Sequence, residues 1–91
     1  MKYKPKKIFF VDDQPQVLKA VKRTLESRDF VTECFENSEQ CLERLIREDC
    51  DLLITDFSMP EMDGIELLEK VRRINPTLPV LVVTGFGEVS L

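Results

Sequence analysis

Residues 51–64 read DLLITDFSMPEMDG, in which an apolar run stops at an acidic residue. Leu52 to Thr55 are apolar or β-branched without alternation, which is typical of a parallel strand that helices bury on both faces. The run ends at Asp56. We therefore expect this carboxylate at the carboxyl edge of a sheet, where open α/β folds bind their ligands.

The rest of the chain alternates between strand and helix. Further strands are predicted over residues 8–11, 30–36 and 79–84, with 30–36 more exposed and at a sheet edge. Helices are predicted over 15–28, after a cap at Asn37 or Ser38, and after a cap at Asp63. The apolar helix faces are predicted to contain Val17, Leu18, Val21 and Leu25, then Cys41, Leu42, Leu45 and Ile46, then Ile65, Leu68, Val71 and Ile74.

This order predicts the fold class. Strands that alternate with helices favour an α/β fold with a doubly wound parallel sheet. Residues 85–87 are predicted to form a flexible loop, and 88–91 could begin a fourth helix. The apolar strand at 80–83 should have a neighbour on each side, and the sequence offers no outer one.

Size, charge and cysteine content exclude several classes of protein. The chain has 91 residues, with 43% hydrophobic and 33% charged, as expected of one soluble domain. The net charge of −4 argues against nucleic-acid binding. Residues 1–7 are interpreted as a basic, solvated tail, and the apolar run 8–11 is too short for a signal peptide or membrane span. Three widely spaced cysteines and no histidine disfavour a zinc site and histidine-based catalysis, and favour reduced thiols in the cytoplasm.

Acidic residues end two of the predicted strands. Asp12 and Asp13 follow the first strand, and Asp56 ends the third, so all three should reach one edge. Neighbouring strands lie about 4.8 Å apart, and three carboxylates that close repel one another unless a cation is present. Oxygen ligands of this kind suit Mg²⁺. Asp56 would then be a nucleophile that accepts a phosphoryl group, and the Thr84 hydroxyl could contact a phosphate oxygen.

Each of these residues also has a simpler interpretation. Asp12 and Asp13 could only cap the first helix, and Asp56 could only start a turn. Thr84 could be an ordinary strand residue. The combination of acids at two strand ends and a threonine at a third favours a functional site.

The same motifs resemble a known family. They are Val11-Asp12-Asp13, Asp56 followed by Met59-Pro60 and Asp63-Gly64, and Val83-Thr84-Gly85. Over residues 8–91 the chain resembles the receiver domain of bacterial two-component response regulators. The resemblance implies a flavodoxin-like fold and a cytoplasmic signalling module, not an enzyme beyond its own phosphorylation. It also implies that Asp56 accepts a phosphoryl group from a phosphohistidine of a sensor histidine kinase.

The resemblance implies further roles. Asp13 and Asp56 would bind Mg²⁺ directly, together with the backbone carbonyl of Ser58, and Asp12 would act mainly through a bound water. Thr84 would be the switch hydroxyl. Residues 84–89 are similar to receivers of the nitrogen-regulator and nitrogen-fixation types, which often precede an ATPase or a DNA-binding output domain.

The sequence departs from the family at its end. Family members continue with a fifth strand and a fifth helix, which carry a lysine and an aromatic switch residue, whereas the last lysine here is Lys70. We therefore expect a truncated receiver without its output domain, which self-associates either by pairing of the exposed fourth strands or by exchange of elements between copies. One alternative is a phosphorylation-incompetent interaction module. Another is a haloacid-dehalogenase-like phosphatase, which is disfavoured because Asp12-Asp13-Gln14 does not supply an Asp-x-Asp motif.

Overall fold

A single parallel sheet organises the described part of the chain. The computed structural model describes residues 4–84, in which strands and helices alternate as the sequence predicts. The elements are β1 (Lys7–Val11), α1 (Pro15–Glu26), β2 (Val31–Phe35), α2 (Ser38–Arg47), β3 (Leu52–Asp56), α3 (Gly64–Ile74) and β4 (Val80–Val83). The strand order is β2-β1-β3-β4 and every pair is parallel. The predicted α/β class and doubly wound sheet are therefore confirmed.

The register brings the carboxyl ends of three strands together. Val11 pairs with Thr55 on β3, and Asp56 pairs with Val83 on β4. Residues that directly follow β1, β3 and β4 consequently lie at one edge of the sheet. The predicted edge position of the second strand is also confirmed, because β2 pairs only with β1 among the described strands.

Helices cover the two faces of the sheet. On one face, Phe9 and Leu53 belong to a buried cluster with Leu45 of α2 and Leu67 of α3. On the other face, α1 lies against β2, where the Cys34 thiol is 3.7 Å from the Leu18 carbonyl oxygen. Since side chains alternate along a strand, the apolar runs of β1 supply both layers.

Three predicted core isoleucines are exposed. Ile46 is 71% exposed, Ile65 is 43% exposed, and Ile74 at the end of α3 is also exposed. In α3 the stripe of Gly64, Leu67 and Val71 faces the core instead, at the i, i+3, i+7 spacing. Two apolar stripes overlap in this helix: the predicted one is confirmed at Val71 and wrong at Ile65 and Ile74, and packing against the sheet also buries Leu67, which the prediction did not include. Thr32 of β2 is buried, although its strand lies at the edge of the described sheet.

Local chemistry sets the helix ends. α1 ends at Glu26, two residues before the predicted Arg28, and Asp29 then turns the chain with a φ of 68°. Asn37 caps α2 by accepting a bond from the Gln40 amide, and Asp63, the predicted cap, forms a capping box with Glu66 at the start of α3. The predicted loop at 85–87 and helix at 88–91 lie outside the described residues. None of the helices described is long and apolar enough to cross a membrane.

Candidate functional site

Three acidic side chains converge at the carboxyl edge of the sheet. Asp12 and Asp13 directly follow β1, and Asp56 is the last residue of the neighbouring β3. Each offers a carboxylate oxygen, and these oxygens all lie within 4.8 Å of one another. The strand order thus brings together the three acidic residues that the sequence places at strand ends. Their roles as ligands and phosphoacceptor stay predictions.

The three carboxylates differ in burial. Asp12 is 1% exposed and Asp56 is 7% exposed, whereas Asp13 is open to solvent. Burial raises the pKa of Asp12 above its usual value, and the negative charges of Asp56 and Asp13 raise it further. The backbone N–H of Gln14 donates to Asp12 Oδ1 at 2.8 Å and offsets part of this effect. The site therefore concentrates negative charge that a cation would neutralise.

Asp12 and Asp13 do not cap the first helix in this structure. The residue at the N-cap position of α1 is Gln14, and it makes no side-chain capping bond. Pro15, at the first turn, lacks the N–H that a cap would satisfy in that position. The acidic pair is thus placed outside the helix. The turn alternative for Asp56 has some support, because its Oδ1 accepts a long bond, 3.4 Å, from the Ser58 N–H.

The loop between β3 and α3 is held close to the acidic residues. The Phe57 N–H donates to the Val83 carbonyl at 2.7 Å, and the Gly64 N–H donates to the Phe57 carbonyl at 2.9 Å. A Cβ atom at position 64 would lie 2.6 Å from the backbone oxygen of Asp56. Only glycine permits this approach. Gly64 stands out in the sequence as part of a motif, but its steric role depends on a contact with β3 that the local pattern does not show.

Ser58 and Thr84 lie at the same edge. Ser58 is exposed in the loop, two residues after Asp56, and its amide faces that carboxylate. Thr84 is exposed and directly follows Val83, the register partner of Asp56. The roles of Ser58 as a cation ligand and of Thr84 as the switch hydroxyl stay predictions.

The donor set fits a hard divalent cation. All three side chains offer carboxylate oxygens, without the sulfur or nitrogen ligands that zinc prefers. Two of the carboxylates are buried close to each other, and their repulsion leaves a cation as the natural partner. Mg²⁺ is commonly bound by one or two carboxylates with water and phosphate oxygens completing its shell.

Comparison with known proteins identifies the family. The model of the response regulator receiver domain matches residues 8–91. The chain belongs to this family. The phosphatase alternative is thereby set aside, and this chain is a receiver domain of the response regulators that act in two-component signalling.

Curated relatives carry the same segment. The chain is 37% identical over 86 residues to the response regulator receiver protein CpdR of Brucella abortus, covering 94% of this chain and 72% of CpdR. It is 35% identical over 89 residues to the transcriptional regulatory protein GlrR of Escherichia coli, covering 98% of this chain. The chain spans only 20% of the length of GlrR.

Solved structures agree on the fold. A CheY-like receiver domain protein from Methanospirillum hungatei matches with a TM-score of 0.86 at 30% identity, covering 94% of this chain and 69% of that one. The response regulator protein TrrA from Thermotoga maritima, solved in complex with Mg²⁺-BeF, matches with a TM-score of 0.84 at 27% identity. That match covers 90% of this chain and 71% of TrrA.

Proposed function

We propose that this receiver domain accepts a phosphoryl group on Asp56 from a phosphohistidine of a sensor histidine kinase. The observation that carries the proposal is the convergence of three carboxylates, with oxygens within 4.8 Å of one another, at the end of two neighbouring strands. A carboxylate is an established nucleophile for forming aspartyl phosphate. Asp56 ends its strand at the carboxyl edge of the sheet, beside the solvent-exposed Asp13.

The cation proposal names Mg²⁺. Asp13, Asp56 and the Ser58 carbonyl would hold it directly, and Asp12 would act mainly through a bound water. When bound, Mg²⁺ offsets the negative charge of the phosphoryl oxygens during transfer. The crowding of the carboxylates and the raised pKa of Asp12 support this assignment, as does the Mg²⁺-BeF complex of the similar protein TrrA.

The transfer itself needs few groups from the chain. A carboxylate oxygen of Asp56 forms the new P–O bond while the P–N bond to the donor imidazole breaks. The imidazole nitrogen keeps the electron pair and takes a proton from solvent. The Thr84 hydroxyl would donate to an oxygen of the bound phosphoryl group and respond to its arrival. The protein would thus modify itself rather than turn over a substrate.

Phosphodonor labelling tests the proposal. The 91-residue chain is mixed with Mg²⁺ and acetyl phosphate, and its mass is measured. We expect one added phosphoryl group on the wild type and none on Asp56→Asn. A matched control, Asp49→Asn, changes an exposed acid in the loop that precedes β3 and should label like the wild type. Equal labelling of Asp56→Asn would contradict the assignment. Mg²⁺ binding without any adduct would favour the alternative of a phosphorylation-incompetent interaction module.

The partners beyond this chain follow from the same proposal. A sensor histidine kinase would supply the phosphoryl group, and an output domain in the whole protein would respond to it. The similar protein GlrR is a transcriptional regulatory protein, and this chain spans only 20% of its length. The rest of GlrR leaves room for such an output domain. We also place the protein in the cytoplasm, a compartment with which the three free cysteines, Cys34, Cys41 and Cys50, are compatible.

Self-association of the 91-residue polypeptide is a further part of the proposal. β4 pairs with β3 alone among the described strands, so one side of β4 offers free backbone groups. Leu81 of β4 is 50% exposed on the face that it shares with Ile54. An apolar strand edge of this kind favours pairing with a second copy.

A further inference from the structure

Ser38 makes a bond that helix capping does not explain. It is the first residue of α2, yet the cap of this helix is Asn37, whose side chain accepts from the Gln40 N–H at 2.9 Å. Ser38 is only 3% exposed, and its hydroxyl donates to the backbone carbonyl of Met62 at 3.1 Å. The two residues are 24 positions apart. The bond therefore ties the start of α2 to the loop between β3 and α3.

That loop is the segment that carries Ser58. Its two ends are joined by the bond from the Gly64 N–H to the Phe57 carbonyl, and the Met62 N–H turns back to the Pro60 carbonyl at 2.8 Å. Glu61 has a φ of 70°, a left-handed conformation that is strained for a residue with a side chain. A loop held in such a shape needs bonds that oppose its relaxation.

Ser38 supplies one such bond at the strained point. Met62 follows Glu61 directly, and its side chain is buried in the core cluster. Without the Ser38 hydroxyl, the buried Met62 carbonyl would lose this donor, and the loop would have to move toward solvent to replace the bond. Because the ends of the loop are closed by Phe57 and Gly64, such a movement would be transmitted to Ser58.

We infer that Ser38 is a positioning residue for the cation site. Through Met62 it holds the loop in the conformation that keeps the Ser58 backbone beside Asp56. The inference rests on the proposed Mg²⁺ site and adds to it a residue from a different helix, which does not itself touch the cation.

Magnesium affinity of Ser38→Ala tests this role. The wild type, Ser38→Ala and Ser38→Thr are titrated with Mg²⁺, and the Kd is measured from amide chemical shifts. We expect Ser38→Ala to bind about tenfold more weakly, as is typical when a supporting bond behind a metal ligand is lost. Ser38→Thr, which keeps the hydroxyl, should bind more tightly than Ser38→Ala. The matched control is Ser27→Ala, which removes a hydroxyl bond of the same type to the Thr24 carbonyl, 2.7 Å long, at the end of α1.

The possible results separate this inference from the proposed function. If the wild type does not bind Mg²⁺, the proposed site fails and the role of Ser38 with it. If the wild type binds and Ser38→Ala binds equally well, only the role of Ser38 is refuted, even when urea unfolding shows the variant to be less stable. If Ser38→Ala does not fold, the nearly isosteric Ser38→Cys replaces it. Because the cysteine thiol is only a weak hydrogen-bond donor, a Ser38→Cys variant that binds Mg²⁺ as tightly as the wild type would also refute the inference.

Discussion

Asp12 is the most buried carboxylate among residues 4–84, and no basic side chain balances it there in the described hydrogen bonds and ion pairs. Its folded-state pKa is raised above 3.8, first by burial and then by repulsion from Asp56 and Asp13. A raised pKa means that the folded protein favours the protonated form more than the unfolded chain does. The stability from this group is therefore fully present below pH 3.8 and is lost as pH rises through the folded pKa.

The substitution Asp12→Asn should stabilise the metal-free protein and weaken its cation site. The amide is uncharged, and its oxygen can still accept from the Gln14 N–H. We expect the free energy of unfolding at pH 7 without Mg²⁺ to rise by about 0.5–2 kcal/mol, the usual size of a stabilising substitution. The gain should shrink at pH 4.5, where Asp12 in the wild type takes up a proton more readily. Urea unfolding at both pH values measures it.

Added Mg²⁺ provides the second half of this test. A ligand that binds the folded state stabilises it by mass action, about 2.7 kcal/mol at one hundred times the Kd. The wild type should gain more from Mg²⁺ than Asp12→Asn does. If Asp12→Asn is less stable than the wild type without Mg²⁺, the charge on Asp12 does not destabilise the folded protein.

Gly64 is a second position where one residue controls the site. Alanine is usually favoured over glycine in a helix by about 1 kcal/mol. At this position, however, the added Cβ would lie 2.6 Å from the Asp56 backbone oxygen and 3.0 Å from the Phe57 Cα. These are backbone atoms, so they cannot move aside without displacing the end of β3.

The substitution Gly64→Ala should therefore destabilise the protein despite the helix preference. We expect a loss of about 1–3 kcal/mol in urea unfolding, as for other overpacked positions. Mg²⁺ affinity should fall as well, because Asp56 and the loop share the displaced backbone. An increase in stability would show that the approach of α3 to β3 is looser than these distances indicate.

At the residue scale, the sequence predicts which chemical groups share the site better than it predicts how deeply each group is buried. That Asp12, Asp13 and Asp56 share an edge follows from apolar runs that each stop at an acid. Which of them is buried does not follow, because burial depends on how α1 and the loop after β3 close over the edge. The bond from Ser38 to Met62 was missed for a related reason: a serine at a helix start is ordinarily a cap, and no local pattern signals a contact across 24 residues.

At the scale of elements, the start of α3 is the best-determined helix end. The Glu66 N–H donates to Asp63 Oδ1 at 2.9 Å, and the Asp63 N–H donates to Glu66 Oε1 at 3.1 Å. α2 begins with one such bond, from the Gln40 N–H to Asn37 Oδ1. α3 therefore begins with two described capping bonds and α2 with one, although the two helices are of similar length.

The substitution Asp63→Ala should cost more than Asn37→Ala. A lost cap typically costs about 0.5–2 kcal/mol. Asp63→Ala keeps the backbone N–H that donates to Glu66, but it also loses the favourable charge at a helix N-terminus, which adds about 0.3–1 kcal/mol. Urea unfolding followed by circular dichroism compares the two variants, and a double-mutant cycle of Asp63 with Glu66 measures their coupling. Equal losses for the two caps, or a coupling near zero, would contradict this account.

The helix faces show where pattern reasoning stops. Caps and prolines are local signals, so the starts of α1, α2 and α3 could be predicted from sequence. The buried face of α3 could not be predicted in full, because Ile65 and Leu67 belong to overlapping apolar stripes and the sequence pattern favours neither of them. Gly64 packs closely against the end of β3, and on this helix Leu67 is buried while Ile65 is exposed.

At the scale of the whole molecule, the two outer strands of the described sheet are protected unequally. On β2, the Lys22 ammonium donates to the Thr32 carbonyl at 2.8 Å and also pairs with Glu26, so a charged side chain occupies that edge. β4 is apolar along its whole length, VLVV, and among residues 4–84 no charged side chain is described in a bond to it. Charged side chains at a strand edge discourage pairing with other chains, and bare apolar edges promote it.

This asymmetry predicts that the 91-residue polypeptide associates through β4 and not through β2. Sedimentation at high micromolar concentration should show dimers or larger species for the wild type. Leu81→Lys places a charge on the half-exposed side chain of β4 and should shift the population toward monomer. The matched control, Val31→Lys, makes the same change at an exposed position of β2 and should leave association unchanged. A wild type that stays monomeric rules out the proposed association, and an equal effect of both variants would place the contact elsewhere than β4.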